Sequence, residues 1–243
     1  MTCKYTIFLH SNAFFTPIFI YFFIAVFSIK SCKFAAVKTL RQMRFVNIHT
    51  HRPTGRHIEP SFSGIHPWNA ARDGSDAGIG CLTADAVGEI GLDYACGVPH
   101  SIQERVFRQQ LQTAAEMHKP VILHCVRAFE PIMKILDGYT LRAVIFHGFI
   151  GSEQQARNAV ARGYYLSFGL RTFRSPKSLQ ALKAMPLSRL FLETDDDDIS
   201  IEDIYHYAAE ARATTVEELQ AAILRNYELI FLQSDEQQLV RTD

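Results

Sequence analysis

Short apolar runs recur at 45–49 (FVNIH), 86–92 (AVGEIGL), 120–125 (PVILHC), 142–147 (RAVIFH), 164–168 (YYLSF) and 189–193 (RLFLE). Each has the length and composition of a buried strand. Between them lie stretches whose apolar positions follow helical spacing: 101–119, 128–136, 152–162, 175–184, 201–211 and 215–232. In the first of these, Ser101 is expected as N-cap with Glu104 at N3, a capping box, and Val106, Leu111, Ala114 and Met117 follow on one face. Ser200 is expected to cap 201–211, with Glu202 and Asp203 in the first turn. Alternating strands and helices predict an α/β fold with a parallel sheet, closed or open.

The start of the chain breaks this pattern. Residues 5–29 (YTIFLHSNAFFTPIFIYFFIAVFSI) carry no Lys, Arg, Asp or Glu. Their length reaches the ~20 residues that span a bilayer. The positive charges follow the apolar stretch and do not precede it, which fits a cleaved signal peptide poorly. Two readings stay open for residues 1–42: a membrane anchor that leaves the rest facing the cytoplasm, or a stretch that is not part of the working protein. Met43 stands just before RFVNIHTH, so the domain to weigh is 43–243, expected in the cytoplasm either way.

Composition narrows the classes. The five cysteines include no Cys-x-x-Cys pair, which argues for a reducing compartment and against a disulfide framework or zinc ribbon. Beyond residue 42 the chain holds twenty basic against twenty-five acidic residues, a net charge of −5. That is a poor footprint for gripping long duplex nucleic acid, although an enzyme can meet phosphates through metal ions.

The chemistry gathers where the strands end. In α/β folds, sites form at the carboxyl ends of parallel strands. The run ends supply His49 and His51, Glu89, His124, His147 and Asp195. His49 and His51, two apart on a strand, face the same side. Alone, the pair is weak. Burying the full set is costly unless the members are paired or bound to metal, so the set points to a metal site. Nitrogen and oxygen donors suit Zn, Mn, Co or Fe, with Mg also able to serve. Six donors exceed the needs of one tetrahedral ion, and a carboxylate such as Glu89 can bridge two. His66 in SGIHPW and Arg127, three residues after His124, are candidates to meet a phosphate. Trp68 could stack on a base or simply pack.

These stretches resemble the TatD-type metal-dependent DNases of the amidohydrolase superfamily: NIHTH, GIHPW, VGEIGLDY, QERVFRQQLQTAAEMHKPVILHCVRA, IFHGFIGS, GYYLSFG and RLFLETDD occur in the family's order. The resemblance implies a TIM-like (β/α) barrel. It implies one divalent ion held by His49, His51, Glu89 and Asp195 and a second by Glu89, His124 and His147. It also implies that His66 and Arg127 contact the substrate phosphate, and that Asp195 takes a proton from the attacking water. The activity implied is cleavage of phosphodiester bonds in DNA, with no stable protein partner. A small amide, lactone or phosphoester is the alternative substrate, and a catalytically weak metal-binding barrel a further one. Asp196, Asp197 and Asp198 are expected to face solvent.

One departure stands out. Only twelve residues separate His51 from Gly64, too few for two strands and a helix. The barrel is therefore expected to be abbreviated near its start, with at most one short strand around 57–62.

Overall fold

The computed structural model describes residues 44–73 and 83–233. The apolar stretch 5–29 and the boundary drawn at residue 42 lie outside the described residues. Among the described residues no helix is long and apolar enough to cross a membrane.

Six parallel strands form one sheet in chain order: β1 (Phe62–Ser63), β2 (Ala86–Asp93), β3 (Val121–Val126), β4 (Val144–Phe146), β5 (Tyr165–Phe168) and β6 (Leu190–Leu192). The stretch 45–51 closes it into a barrel. On one side Asn47 N–H donates to Ile58 O at 2.9 Å and Ile58 N–H to Phe45 O at 2.8 Å. On the other, Ile48 N–H donates to Leu192 O at 3.2 Å and Asp195 N–H to His49 O at 3.1 Å. Counting 45–51 as a strand gives, among the described residues, one fewer than the eight of a full (β/α)₈ barrel. No helix separates 45–51 from β1, as the twelve-residue spacing predicts. The short early strand is seen as the Ile58 bridge followed by Phe62–Ser63.

Helices cover the outside: α1 (Ala70–Asp73), α2 (His100–Glu116), α3 (Phe129–Leu136), α4 (Glu153–Ala161), α5 (Leu170–Phe173), α6 (Pro176–Ala184), α7 (Ile201–Arg212) and α8 (Val216–Tyr227). Strands buried on both faces explain the near-continuous apolar runs: every residue of β2 is buried. Ile48, Ile90, Leu92, Phe146, Phe168 and Phe191 lie fully in the core. Tyr205 of α7 donates its buried hydroxyl to Val46 O at 3.1 Å, tying 45–51 to the helical layer. Asn226 of α8 donates to Leu187 O at 2.8 Å and Leu190 O at 2.9 Å, at the entry to β6.

The expected capping box at Ser101 does not form. Helix α2 begins at His100 with Pro99 in the N-cap position, two residues before the expected one, and has no side-chain cap. Proline fixes φ at about −65° and suits a helix entry, and the start falls ahead of the serine, which then lies inside the first turn. Glu104 instead accepts from Tyr94 Oη at 2.7 Å. Ser200 does cap α7, accepting from Asp203 N–H at 3.1 Å. Capping boxes occur at Ser152 with Gln155 and at Thr215 with Glu218.

Candidate metal centre

The carboxyl ends of the strands meet at one mouth of the barrel. Barrel closure sets the first three side chains. His51 N–H donates to Asp195 O at 3.0 Å, which completes the pairing begun by Asp195 and His49. A buried polar ladder clamps this junction. Asn47 Nδ2 donates to Thr194 Oγ1 at 2.9 Å, Thr194 N–H to Asn47 Oδ1 at 3.0 Å, and Thr194 Oγ1 to Thr50 Oγ1 at 3.1 Å. Asp195 has φ 54°, in the left-handed region that Asp tolerates better than most residues.

Glu89 reaches the centre because of the glycines around it. A Cβ on Gly91 (φ 141°) would lie 2.0 Å from His124 O, and one on Gly88 2.8 Å from Ile122 Cβ. Only bare backbone lets β2 approach β3 so closely. The register between the two strands shifts between Val87 and Ile90, at the place where Glu89 turns into the barrel mouth.

The two oxygens of Glu89 divide the cluster. Oε2 lies 3.6 Å from His49 Nε2 and 3.4 Å from His51 Nε2. Asp195 Oδ1 is 3.5 Å from each of the same two nitrogens. Oε1 lies 2.8 Å from His124 Nδ1 and 3.7 Å from His66 Nε2, and it contacts His147 Nε2. His147 Nε2 and His124 Nδ1 are 3.4 Å apart.

These spacings fit donors that share a cation. Nitrogen and oxygen ligands about 2.0–2.2 Å from an ion, roughly 90–110° apart, are separated by about 3.0–3.5 Å. His49 is fully buried, yet among the described residues neither of its ring nitrogens has a hydrogen-bond partner. A buried imidazole left unsatisfied is costly, and an ion at Nε2 removes that cost on the inner side. Three triads have donor atoms within 4.8 Å of one another: His49–His147–Asp195, His49–His51–Glu89 and His66–Glu89–His124.

The electrostatics follow from this crowding. Burial and the neighbouring His147 push His49 below the usual histidine range. The hydrogen bond with Glu89 raises His51. Burial opposes charge on His147, but Glu89 and Glu193 outweigh it and raise His147 well above its usual value. Burial likewise opposes charge on Glu89, and His147, His124 and His51 together hold it well below the carboxylate range.

Two carboxylates that the strand-end reading passed over complete the arrangement. His124 Nε2 lies 3.3 Å from Asp93 Oδ2, and His147 Nδ1 3.3 Å from Glu193 Oε1. A carboxylate accepts only, so each outer partner takes a ring N–H and turns the other nitrogen toward Glu89. A signal for both was present. Glu89 and Asp93 lie four apart on β2, which puts them on one side of that strand, and Glu193 directly follows β6, at a strand end like the six donors.

All of His49, His51, His66, Glu89, His124, Arg127, His147 and Asp195 come to this mouth; all but His49 line one open cavity of about 1200 Å³. Arg127 (φ 52°) is exposed there, and Arg171 joins it from α5. His66 Nδ1 accepts from Trp68 N–H at 3.2 Å, and the indole Nε1–H donates to Asp93 Oδ2 at 2.6 Å. Asp196 and Asp198 are exposed and Asp197 half-buried; Asp196 pairs with Arg52 Nε at 3.2 Å.

A sequence profile of the TatD related DNase family matches residues 58–232. The chain belongs to this family. Among its curated relatives are the 3'-5' ssDNA/RNA exonuclease TatD of Cronobacter sakazakii, 36% identical over 56% of each chain, and the metal-dependent hydrolase YabD of Bacillus subtilis, 32% identical over 60% of this chain and 64% of YabD. The chain thus spans between about half and two thirds of the length of these relatives. Among solved structures, YjjV, a TatD homolog from Escherichia coli, is 29% identical with a TM-score of 0.58, over 63% of this chain and 66% of its own. A TatD family hydrolase from Entamoeba histolytica, 16% identical, shares the fold at a TM-score of 0.61 over 74% of this chain and 76% of its own.

Proposed function

We propose that the TatD-family domain from Met43 onward is a metal-dependent phosphodiesterase that cleaves single-stranded DNA, and that residues 1–42 are dispensable for its chemistry. The observation that carries this reading is the division of the donor set by the two oxygens of Glu89. His49, His51, Asp195 and Glu89 Oε2 would hold one divalent ion, and Glu89 Oε1, His124 and His147 a second. Zn, Mn, Co and Mg all suit these donors. Divalent ions held there would supply a lowered water pKa and offset phosphate charge.

The residues then divide the work. Asp195 accepts the proton of the attacking water as its oxygen bonds to phosphorus and the bond to the ester oxygen breaks. With Nδ1 of His66 accepting from Trp68 N–H, the neutral ring carries its proton on Nε2, facing the cavity. It is a donor to a phosphate oxygen. Arg127 offers a planar fork of donors to the same group. The chemistry named for the Cronobacter relative supports the choice of a single strand as substrate.

The test is a nuclease assay on the purified chain with a labelled single strand. Chelation should abolish cleavage, and Mn, Co, Mg or Zn should restore it. Undiminished cleavage by metal-free protein would overturn the reading.

A further inference from the structure

Trp68 is 60% exposed, an uncommon state for an indole. It is nonetheless held on several sides. Pro67 starts the 3₁₀ turn Pro67–Asn69 that carries it. Its backbone N–H is bound to His66 Nδ1 at 3.2 Å, and its Nε1–H to the buried carboxylate of Asp93 at 2.6 Å. The His66 ring meets it edge to face at 4.8 Å, and the His124 ring at 6.3 Å. The large ring is fixed on its inner side and open on its outer side, at the mouth of the cavity that holds Glu89 and Arg127.

Packing does not account for this geometry, because most of the apolar surface stays in water. Binding does. An aromatic ring whose orientation is set before the ligand arrives loses little entropy on contact. We propose that Trp68 is a stacking platform for the nucleobase next to the phosphate being cleaved, an inference that rests on the reading of the chain as a nuclease. The one polar atom of the indole is already engaged by Asp93, so the platform offers no hydrogen bond to a base edge. It takes any base by its π face and does not read base identity. Asp93 Oδ2 also lies 3.3 Å from His124 Nε2, so the carboxylate that fixes the platform is the one that orients a donor of the metal centre.

Trp68 is the single tryptophan of the chain, so indole fluorescence reports on this position alone. The experiment titrates the full chain, with Mg²⁺ present, with two cleavage-resistant phosphorothioate strands of equal length, one bearing bases and one abasic. The base-bearing strand should quench the fluorescence to saturation and bind about tenfold or more tighter than the abasic one. Trp68→Ala, followed by competition with a labelled strand, should bind the two strands equally. Trp68→Phe should keep the preference, since it retains a ring. Equal binding of both strands by the unaltered chain, absence of quenching, or a full base preference in Trp68→Ala would each overturn the platform. Quenching without hydrolysis of any cleavable strand would instead remove the nuclease reading and leave base stacking in place. Cleavage of base-bearing and abasic strands with equal efficiency would do the reverse.

Discussion

The two sides of Glu89 are built differently. On the Oε1 side, His124 and His147 each have an outer carboxylate, Asp93 and Glu193, both buried. Those rings are oriented by side chains whatever lies between them and Glu89. On the Oε2 side no such partner stands beside His49 among the described residues, and its ring is packed between Phe62 at 4.6 Å and His147 at 4.2 Å. His51 is 44% exposed. These two rings are placed by the backbone, through the pairing of 45–51 with the residues after β6. One side is therefore preorganised by a hydrogen-bonded outer shell and the other by barrel closure. Closure is also where the fold is most abbreviated, with no helix between 45–51 and β1.

The strongest way to break this contrast is at Asp195, the charged donor on the Oε2 side. Asn keeps the shape and one carbonyl oxygen but holds no negative charge and accepts no proton from water. Asp195→Asn should lower kcat/KM by about 10²–10⁴-fold, the usual range for loss of a general base. The protein should stay folded, and donors on the Oε1 side should still bind an ion. Parallel measurement of kcat/KM and bound metal checks this; near-normal activity would remove Asp195 from the chemistry.

A smaller effect is expected at Glu193, whose hydrogen bond in the cluster goes to His147 of the Oε1 side. Glu193→Gln replaces an anionic acceptor by an amide, and His147 loses its firm orientation. Changes of this kind cost about 10–100-fold in metal affinity. Calorimetric titration of the metal-free protein should show one binding step weakened and the other unmoved. If both steps shift together, the two sides are not independent and the contrast fails.

Much of this centre was legible in the sequence because parallel strands buried on both faces read as apolar runs, and polar residues at their ends stand out against them. His49, His51, Glu89, His124, His147 and Asp195 are all visible in that way. Asp93 and Glu193 stand at the same strand ends but were passed over, for a physical reason. The position of a carboxylate at a strand end does not name its partner, and its role appears only when a histidine from another strand is set beside it. A barrel was implied by the resemblance, but the pairs that close it at 45–51 were hidden, since they join residues nearly 150 positions apart. One helix start failed where a local rule met a stronger one: Pro99 took the entry of α2 from Ser101.

Arg127 tests the substrate end of the Oε1 side. Lysine keeps the charge but not the planar two-point grip on a phosphate. Arg127→Lys should cost roughly tenfold in kcat/KM with bound metal unchanged, the size of losing one charge-assisted hydrogen bond. Wild-type kinetics would return Arg127 to an ordinary exposed arginine.

The smallest effect belongs to Asp196, and it calibrates the largest. Asp196 follows Asp195 directly, yet its side chain is 69% exposed against 23% for Asp195. Its ion partner is Arg52 Nε at 3.2 Å, itself 60% exposed. Exposed pairs of this kind contribute about 0–1 kcal/mol and are screened by salt. No imidazole of the cluster is paired with Asp196, whereas Asp195 Oδ1 sits 3.5 Å from both His49 Nε2 and His51 Nε2. Asp196→Asn should therefore leave kcat/KM within a few-fold of the unaltered chain, leave metal content unchanged and shift Tm by no more than a few degrees. The two variants are to be measured side by side, because they differ by one position in the same turn. Should Asp196→Asn be the inactive one and Asp195→Asn the active one, the register after β6 is off by one residue. The Oε2 side would then have to be rebuilt around a different carboxylate.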